Sequence, residues 1–424
     1  MALFSRKQIG VLAACLLVGA TVTADAPSPA AQLGMPTATP ESQGFSTTGV
    51  TALRDEMRAL VDTQKQAGVT TLIARHGKVV HFDTYGKANA ASGESLRPDS
   101  IFRIASMTKP ITGVAMMQLY EQGKWKLDDP VAKYIPEFAA LQVKKAGGGT
   151  EPQKSPMTMA QLMSHSAGFG ASAVYRELEL DETDLQGMID KLKVLPLETQ
   201  PGSAWDYGPS VNIQGYIVEK LSGMSLDAYF ARNILEPLGM LDTGFWVPAE
   251  KAARVVAVHG YDSDGKIRVQ PDGSVKTTRP RFLAGSGGLM STARDYWRFA
   301  QALANGGTLD GKRILQEKTV ELMRTNVLEP GIKVDLYGPS QEGIGFGMDF
   351  AVVLDPKSAG TAQGVNSFYW GGAYGTWFWI DPTNDLVFVG LIQNAGGSRP
   401  DEGTPPLRAI SSAAIYQALT QPSR

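Results

Sequence analysis

The stretch Phe102-Arg103-Ile104-Ala105-Ser106-Met107-Thr108-Lys109-Pro110-Ile111-Thr112 sets a serine and a lysine three positions apart. If Ser106 opens a helix, Lys109 lies on the same face one turn later. Ser106 to Gln122 carries helical apolar spacing at Ile111, Val114, Met117 and Leu119, and it stops at Gly123. A serine hydroxyl is a weak nucleophile until a base takes its proton. A lysine can be that base only where burial or a neighbouring cation lowers its pKa. The helix N-terminus also favours negative charge developing nearby. A capping serine followed by an exposed lysine has the same spacing, so the flanks decide. Here Ile101 to Ala105 and Pro110 to Thr112 form a long, mainly apolar frame around the pair.

Upstream, Val69 to Arg75 and Lys78 to Phe82 read as strands joined at His76-Gly77, a hairpin signal. Ser46 is placed to cap a helix carrying Leu53, Met57, Leu60 and Val61. Downstream, helical patterns run from Met159 to Ser164, Leu185 to Leu192, Val211 to Leu221 and Leu226 to Ile234, without strong strand signals. Strands return around Val255 to Val258, and a Gly/Ser loop, Gly285 to Ser291, leads into a helix from Ala293 to Leu303. Phe350 to Leu354, Asn366 to Trp370, Thr376 to Ile380 and Leu386 to Ile392 are apolar and β-rich. A helix with Leu407, Ile410 and Ala414 closes the chain. The order predicts an α+β fold: one antiparallel sheet built from both chain ends, flanked by terminal helices, with a mostly helical region inserted.

The segment "FRIASMTKPITGVAMMQLYEQGKWKLDDPVAKYIPEF", beginning at Phe102, resembles the nucleophile region of the class C β-lactamase superfamily. That superfamily includes class C β-lactamases, D-alanyl-D-alanine carboxypeptidases and family VIII carboxylesterases. "MTMAQLMSHSAGFG", "IVEKLSGMSLDAYFARNILEPLGMLDTGFW", "GSGGLMSTARDYWRFAQALANGG" and "WGGAYGTWFWIDPTNDLVFVGLIQN" are similar to further landmarks in the same order. The resemblance runs from Val69 to Gln393 and implies a β-lactamase/transpeptidase-like fold. It makes Ser106 the nucleophile, with Lys109 and Tyr207 as its proton-handling partners. A phenol near Lys109 can relay the serine proton or hold the lysine, so either group can be the base.

Two departures point within the superfamily. In Trp205-Asp206-Tyr207-Gly208-Pro209, Pro209 replaces the asparagine of a Tyr-x-Asn pattern and has no amide to offer. Trp370-Gly371-Gly372 stands in place of Lys-Thr-Gly and is similar to the esterase pattern. Trp370 then offers an apolar wall where a lysine would hold a substrate carboxylate. Gly371 and Gly372 let a substrate approach the strand backbone. The resemblance also implies an oxyanion hole formed by the N–H groups of Ser106 and Ala373.

The four histidines, His76, His81, His165 and His259, suggest no Ser-His-Asp arrangement, and no Gly-x-Ser-x-Gly elbow is present. His165, in Ser164-His165-Ser166, is expected to make local hydrogen bonds. No clustered metal ligands, P-loop or dinucleotide fingerprint occur, so no metal or cofactor is implied. The chain has 424 residues and a formal net charge of -2, which gives no basic field for nucleic acid. Arg6 and Lys7, the apolar run Ile9 to Val22 and the small residues Val22-Thr23-Ala24 read as a signal peptide. The run is too short and alanine-rich for a membrane span. Leu12-Ala13-Ala14-Cys15 offers lipidation of Cys15 as the lesser alternative. Cys15 is the sole cysteine, so a chain cut after Ala24 has neither disulfides nor thiol chemistry.

The expected organisation is a signal peptide at 1–24, a flexible Pro/Ala-rich leader at 25–45, and a catalytic domain at 46–424. Its sheet region covers about 46–115 and 250–424, and its helical region about 116–249. The expected activity is hydrolysis of small carboxylic esters with short acyl chains, in the periplasm or outside the cell. Two alternatives stay open: a β-lactamase or D-amino-acid peptidase, and a non-catalytic binding protein on the same scaffold. The oligomeric state is left open.

Overall fold

The computed structural model describes residues 27–170, 183–271, 275–335, 341–395 and 406–421. The expected signal peptide and Cys15 lie outside them. The core of the fold is an eight-stranded antiparallel sheet. Its strands are β1 (Gly68–Arg75), β2 (Lys78–Asn89), β3 (Glu94–Ser95), β4 (Ile344–Phe346), β5 (Ala351–Val353), β6 (Phe368–Gly371), β7 (Trp377–Asp381) and β8 (Leu386–Leu391). The spatial order is β4-β5-β6-β7-β8-β1-β2-β3. The sheet is therefore assembled from both chain ends, which meet where β1 pairs with β8 from Thr70↔Leu391 to Arg75↔Leu386.

Local chemistry accounts for the joints. His76 and Gly77 both have positive φ, 50° and 72°, as a two-residue hairpin turn matching strand twist requires. Between β7 and β8 the buried Asp381 carboxylate accepts the N–H groups of Thr383 and Asn384, at 2.9 and 3.2 Å. Every residue of β1 and β8 is buried, so the centre of the sheet is covered on both faces.

Four helices and one more in the inserted region matter here: α1 (Thr47–Asp62), α2 (Lys109–Glu121), α3 (Ser210–Ser222), α4 (Ala293–Ala304) and α5 (Leu407–Ala418). Ser46 caps α1, its side chain accepting the Gly49 N–H at 3.0 Å. Helices α1 and α5 pack together. Trp377 donates its indole N–H to Ser411 on α5, whereas the next residue, Phe378, meets Tyr296 on α4 with ring centroids 4.9 Å apart. Adjacent strand residues point to opposite faces, so α5 and α4 cover opposite sides of the sheet.

Three expectations are corrected. The segment before α1 is not a loose leader. Ala30 and Met35 are buried, and Val79 on β2 exchanges backbone hydrogen bonds with Pro36 and Ala38. Apolar burial and edge pairing hold it, although its composition reads as flexible. In the helical region a short hairpin pairs Gln142–Lys144 with Thr150–Pro152 around a Gly147-Gly148-Gly149 turn. The strand expected at Val255 begins instead at His259, after a 3-10 turn over Ala249–Arg254.

His81, on β2, is buried, with Nε2 2.8 Å from Oγ1 of Thr71 on the neighbouring β1. Burial pushes its pKa down to about 4. The unfolded chain takes up a proton near pH 6.5, so this contribution to stability is present above that pH and is lost on acidification towards pH 4. The expected loss between pH 7 and pH 5 is about 2 kcal/mol. Urea midpoints at the two pH values, for wild type and His81→Gln, check this: the variant should lose that part of the pH dependence.

Candidate active site

Ser106 lies in a 3-10 turn, Ala105–Thr108, that runs straight into α2 with Lys109 as its first residue. Ala105 has φ 44°, a left-handed conformation that costs a non-glycine residue on the order of 1–3 kcal/mol. Surrounding bonds hold it there. The Ile104 N–H donates to Leu289 C=O at 3.1 Å, Tyr296 O–H to Met107 C=O at 2.9 Å, and the Leu289 N–H to Thr108 Oγ1 at 3.1 Å. The kink presents Ser106 while its neighbours Ala105, Met107 and Thr108 stay buried.

Lys109 is 3% exposed. Its Nζ is 2.7 Å from Ser286 C=O, 3.3 Å from Ser106 Oγ and 4.5 Å from the Tyr207 ring centroid. Those partners are all neutral: a carbonyl, a hydroxyl and a ring face. Tyr207 donates its O–H to Ser106 Oγ at 2.8 Å. Lys109, three positions along, and Tyr207, distant in sequence, thus converge on the Ser106 oxygen, and a proton leaving it has two partners within reach. Tyr207 is set by its ring neighbours, with centroids 4.9 Å to His165, 5.7 Å to Trp370 and 5.9 Å to Trp205.

His165 does not make the side-chain hydrogen bonds expected of it. It is fully buried with φ 59°, and neither ring nitrogen has a partner among the described residues. Burial, and then the Lys109 charge, hold its pKa well below the usual value. The local bonds in that segment run instead from the Asp206 N–H to the His165 C=O, at 2.8 Å, and between the Ser164 and Ser166 hydroxyls, at 3.0 Å. The other three histidines bond to Gln43, Thr71 and the Ala90 N–H, away from Ser106.

Trp370 is only 4% exposed and packs on Phe346 at 5.4 Å as well as on Tyr207. It backs the tyrosine and presents little open wall. The two glycines make room for the protein itself. A Cβ on Gly372 would lie 2.3 Å from both Ile104 C=O and Thr376 Oγ1, so the end of β6 abuts the segment that carries Ser106. A Cβ on Gly371 would lie 2.6 Å from Arg408 Nη2. Ala373 follows, exposed, in a turn closed by the Gly375 N–H on Gly372 C=O at 2.9 Å.

A family model described as Beta-lactamase matches residues 53–412. The chain belongs to the β-lactamase family. It is 32% identical over 379 residues to Protein Rv1367c of Mycobacterium tuberculosis, across 84% of this chain and 94% of that protein. It is 31% identical over 360 residues to Esterase EstB of Burkholderia gladioli, across 78% and 87%. The solved structure titled EstCE1, a hydrolase with promiscuous acyltransferase activity, has the same fold: TM-score 0.73 at 24% identity, covering 87% of this chain and 99% of that one. This β-lactamase-family protein is a serine hydrolase.

In this hydrolase several residues near the site escaped the sequence reading. Arg408, at the start of α5, places its guanidinium carbon 4.8 Å from the Tyr369 ring centroid and beside Gly371. The strand that lacks a lysine therefore has a cation beside it, brought from the far end of the chain. Asn212 on α3 accepts the Ser286 N–H at 2.9 Å. Asp349 is fully buried under α2, takes the Gln214 amide N–H at 3.1 Å, and is pushed well above the usual carboxyl range by burial. Only the Gly/Ser loop around Ser286 carried a signal in the sequence.

Proposed function

We propose that this hydrolase cleaves carboxylic esters with short acyl chains, through an acyl-enzyme on Ser106. The convergence of Tyr207 Oη, at 2.8 Å, and Lys109 Nζ, at 3.3 Å, on Ser106 Oγ carries the reading. Ser106 attacks the ester carbonyl while its proton passes to the Lys109–Tyr207 pair. The pair returns the proton to the leaving alcohol. Water, deprotonated by the same pair, then releases the acid and frees Ser106. The N–H groups of Ser106 and Ala373 take the oxyanion in both steps. Trp205, Phe346 and Trp370 fill the space around Tyr207, each no more than 5% exposed, which supports a short acyl group. The names of Esterase EstB and of the Lovastatin esterase of Penicillium rubens support an ester as substrate. The reading includes export, with removal of 1–24.

Pro209 and Trp370, in place of an amide and a cation, favour a neutral ester over an anionic β-lactam. An uncompensated carboxylate costs roughly 2 kcal/mol or more on entering such a site. The test compares kcat/KM for nitrophenyl butyrate and a chromogenic cephalosporin. The ester should lead by about tenfold or more. A cephalosporin that outruns the ester overturns the esterase reading.

A further inference from the structure

The lysine of this site is aimed by a carbonyl, and that carbonyl belongs to a loop with defined anchors. Thr112 Oγ1 donates to Gly285 C=O at 2.7 Å, and the Leu289 N–H donates to Thr108 Oγ1 at 3.1 Å. Both threonines sit on the segment that carries Lys109 itself. The Ser286 N–H, between them, goes to Asn212 Oδ1 at 2.9 Å. Asn212 is 6% exposed and lies on α3, the helix that begins three residues after Tyr207. It is therefore the anchor that ties the lysine's acceptor to the tyrosine side of the site.

We propose that Asn212 is a positioning residue for Lys109, acting through the backbone of Ser286. Position 209 holds a proline with no side-chain amide; Asn212 supplies one on the same helical face, one turn along. With Ser286 fixed, its C=O holds one N–H of Lys109 at 2.7 Å and sets the rotation of Nζ. The nitrogen's remaining valence then points towards Ser106 Oγ, 3.3 Å away. If Ser286 is released, the amine turns freely and loses its contact with that carbonyl dipole. The titratable groups facing Lys109 are Tyr207, His165 from the segment before Ala167, and Asp349 from the turn before β5. None of them bonds to Asn212 among the described residues, so substituting Asn212 leaves them in place.

The inference rests on the proposed roles of Ser106 and Lys109, and wild-type labelling separates the two. If a fluorophosphonate fails to label Ser106 in the wild type, that reading fails before Asn212 is in question. Given labelling, Asn212→Leu should lower kcat for nitrophenyl butyrate by on the order of tenfold to a hundredfold, with KM little changed. The acid limb of its pH profile should move to lower pH. Asn212→Asp keeps the acceptor for the Ser286 N–H and adds a negative charge. It should recover kcat at high pH, with the acid limb moved upward. Wild-type kcat in Asn212→Leu, or a fall in kcat with an unmoved limb, overturns the proposal. Should the leucine variant fail to fold, the aspartate variant decides alone: an unmoved limb or unrecovered kcat overturns it.

Discussion

Ser106→Ala should abolish covalent labelling by a fluorophosphonate and cut ester hydrolysis by about a thousandfold or more. The hydroxyl accepts from Tyr207 at 2.8 Å and lies 3.3 Å from Lys109 Nζ, so its removal takes away the atom on which both groups act. The fold should survive. Ile104, Met107 and Thr108, not the Ser106 side chain, make the bonds that hold the kink at Ala105. An unchanged thermal midpoint with lost activity is the expected pair of results. Other serines are poor candidates: Ser164 and Ser166 are 1% and 3% exposed and bond to each other. A labelled peptide that maps to Ser164, Ser286 or any other serine would show that the nucleophile is elsewhere.

The second large effect is a failure of two losses to add. Lys109→Ala and Tyr207→Phe should each lower kcat/KM by roughly a hundredfold to ten-thousandfold, the usual worth of positioned proton transfer. The double variant should be little worse than the poorer single one. Both groups reach the same oxygen, and Nζ sits 4.5 Å from the Tyr207 ring centroid, so removing one already breaks the path. Phenylalanine retains the packing on His165, Trp205 and Trp370, and the tyrosine variant therefore reports the lost O–H alone. Costs that multiply would mean that lysine and tyrosine serve separate steps.

The contrast between readable and hidden features follows from distance along the chain. Ser106 and Lys109 are legible because one helical turn relates them. Leu386 to Leu391 is legible because a buried strand needs an unbroken apolar run. Tyr207 was found through its neighbours in sequence, since nothing local brings it to Ser106. Arg408 beside Gly371, and Asn212 on Ser286, are meetings across the fold that no local pattern encodes. The glycines of β6 show the same limit. Their type signals that something comes close, while only the packing shows Ile104 C=O and Arg408 in those places. The segment before α1 misleads for another reason: its buried residues, among them Ala30, Met35 and Phe45, are outnumbered by proline, serine and threonine.

The pairing of β1 with β8 also sets a timetable. Ribosomal synthesis delivers Ser106 and Lys109 early, yet the second of the two strands that flank β1 is made only when Leu386 to Leu391 emerge. Ala373 and the β6 end that braces Ile104 are late arrivals too. A nascent chain therefore carries Ser106 and Lys109 for most of its length without the scaffold that surrounds them in the fold. Such a long-range closure is slow, because the intervening loop must be ordered before any contact repays it. That order keeps Ser106 without its scaffold until the strands from both sides of the sheet have been made.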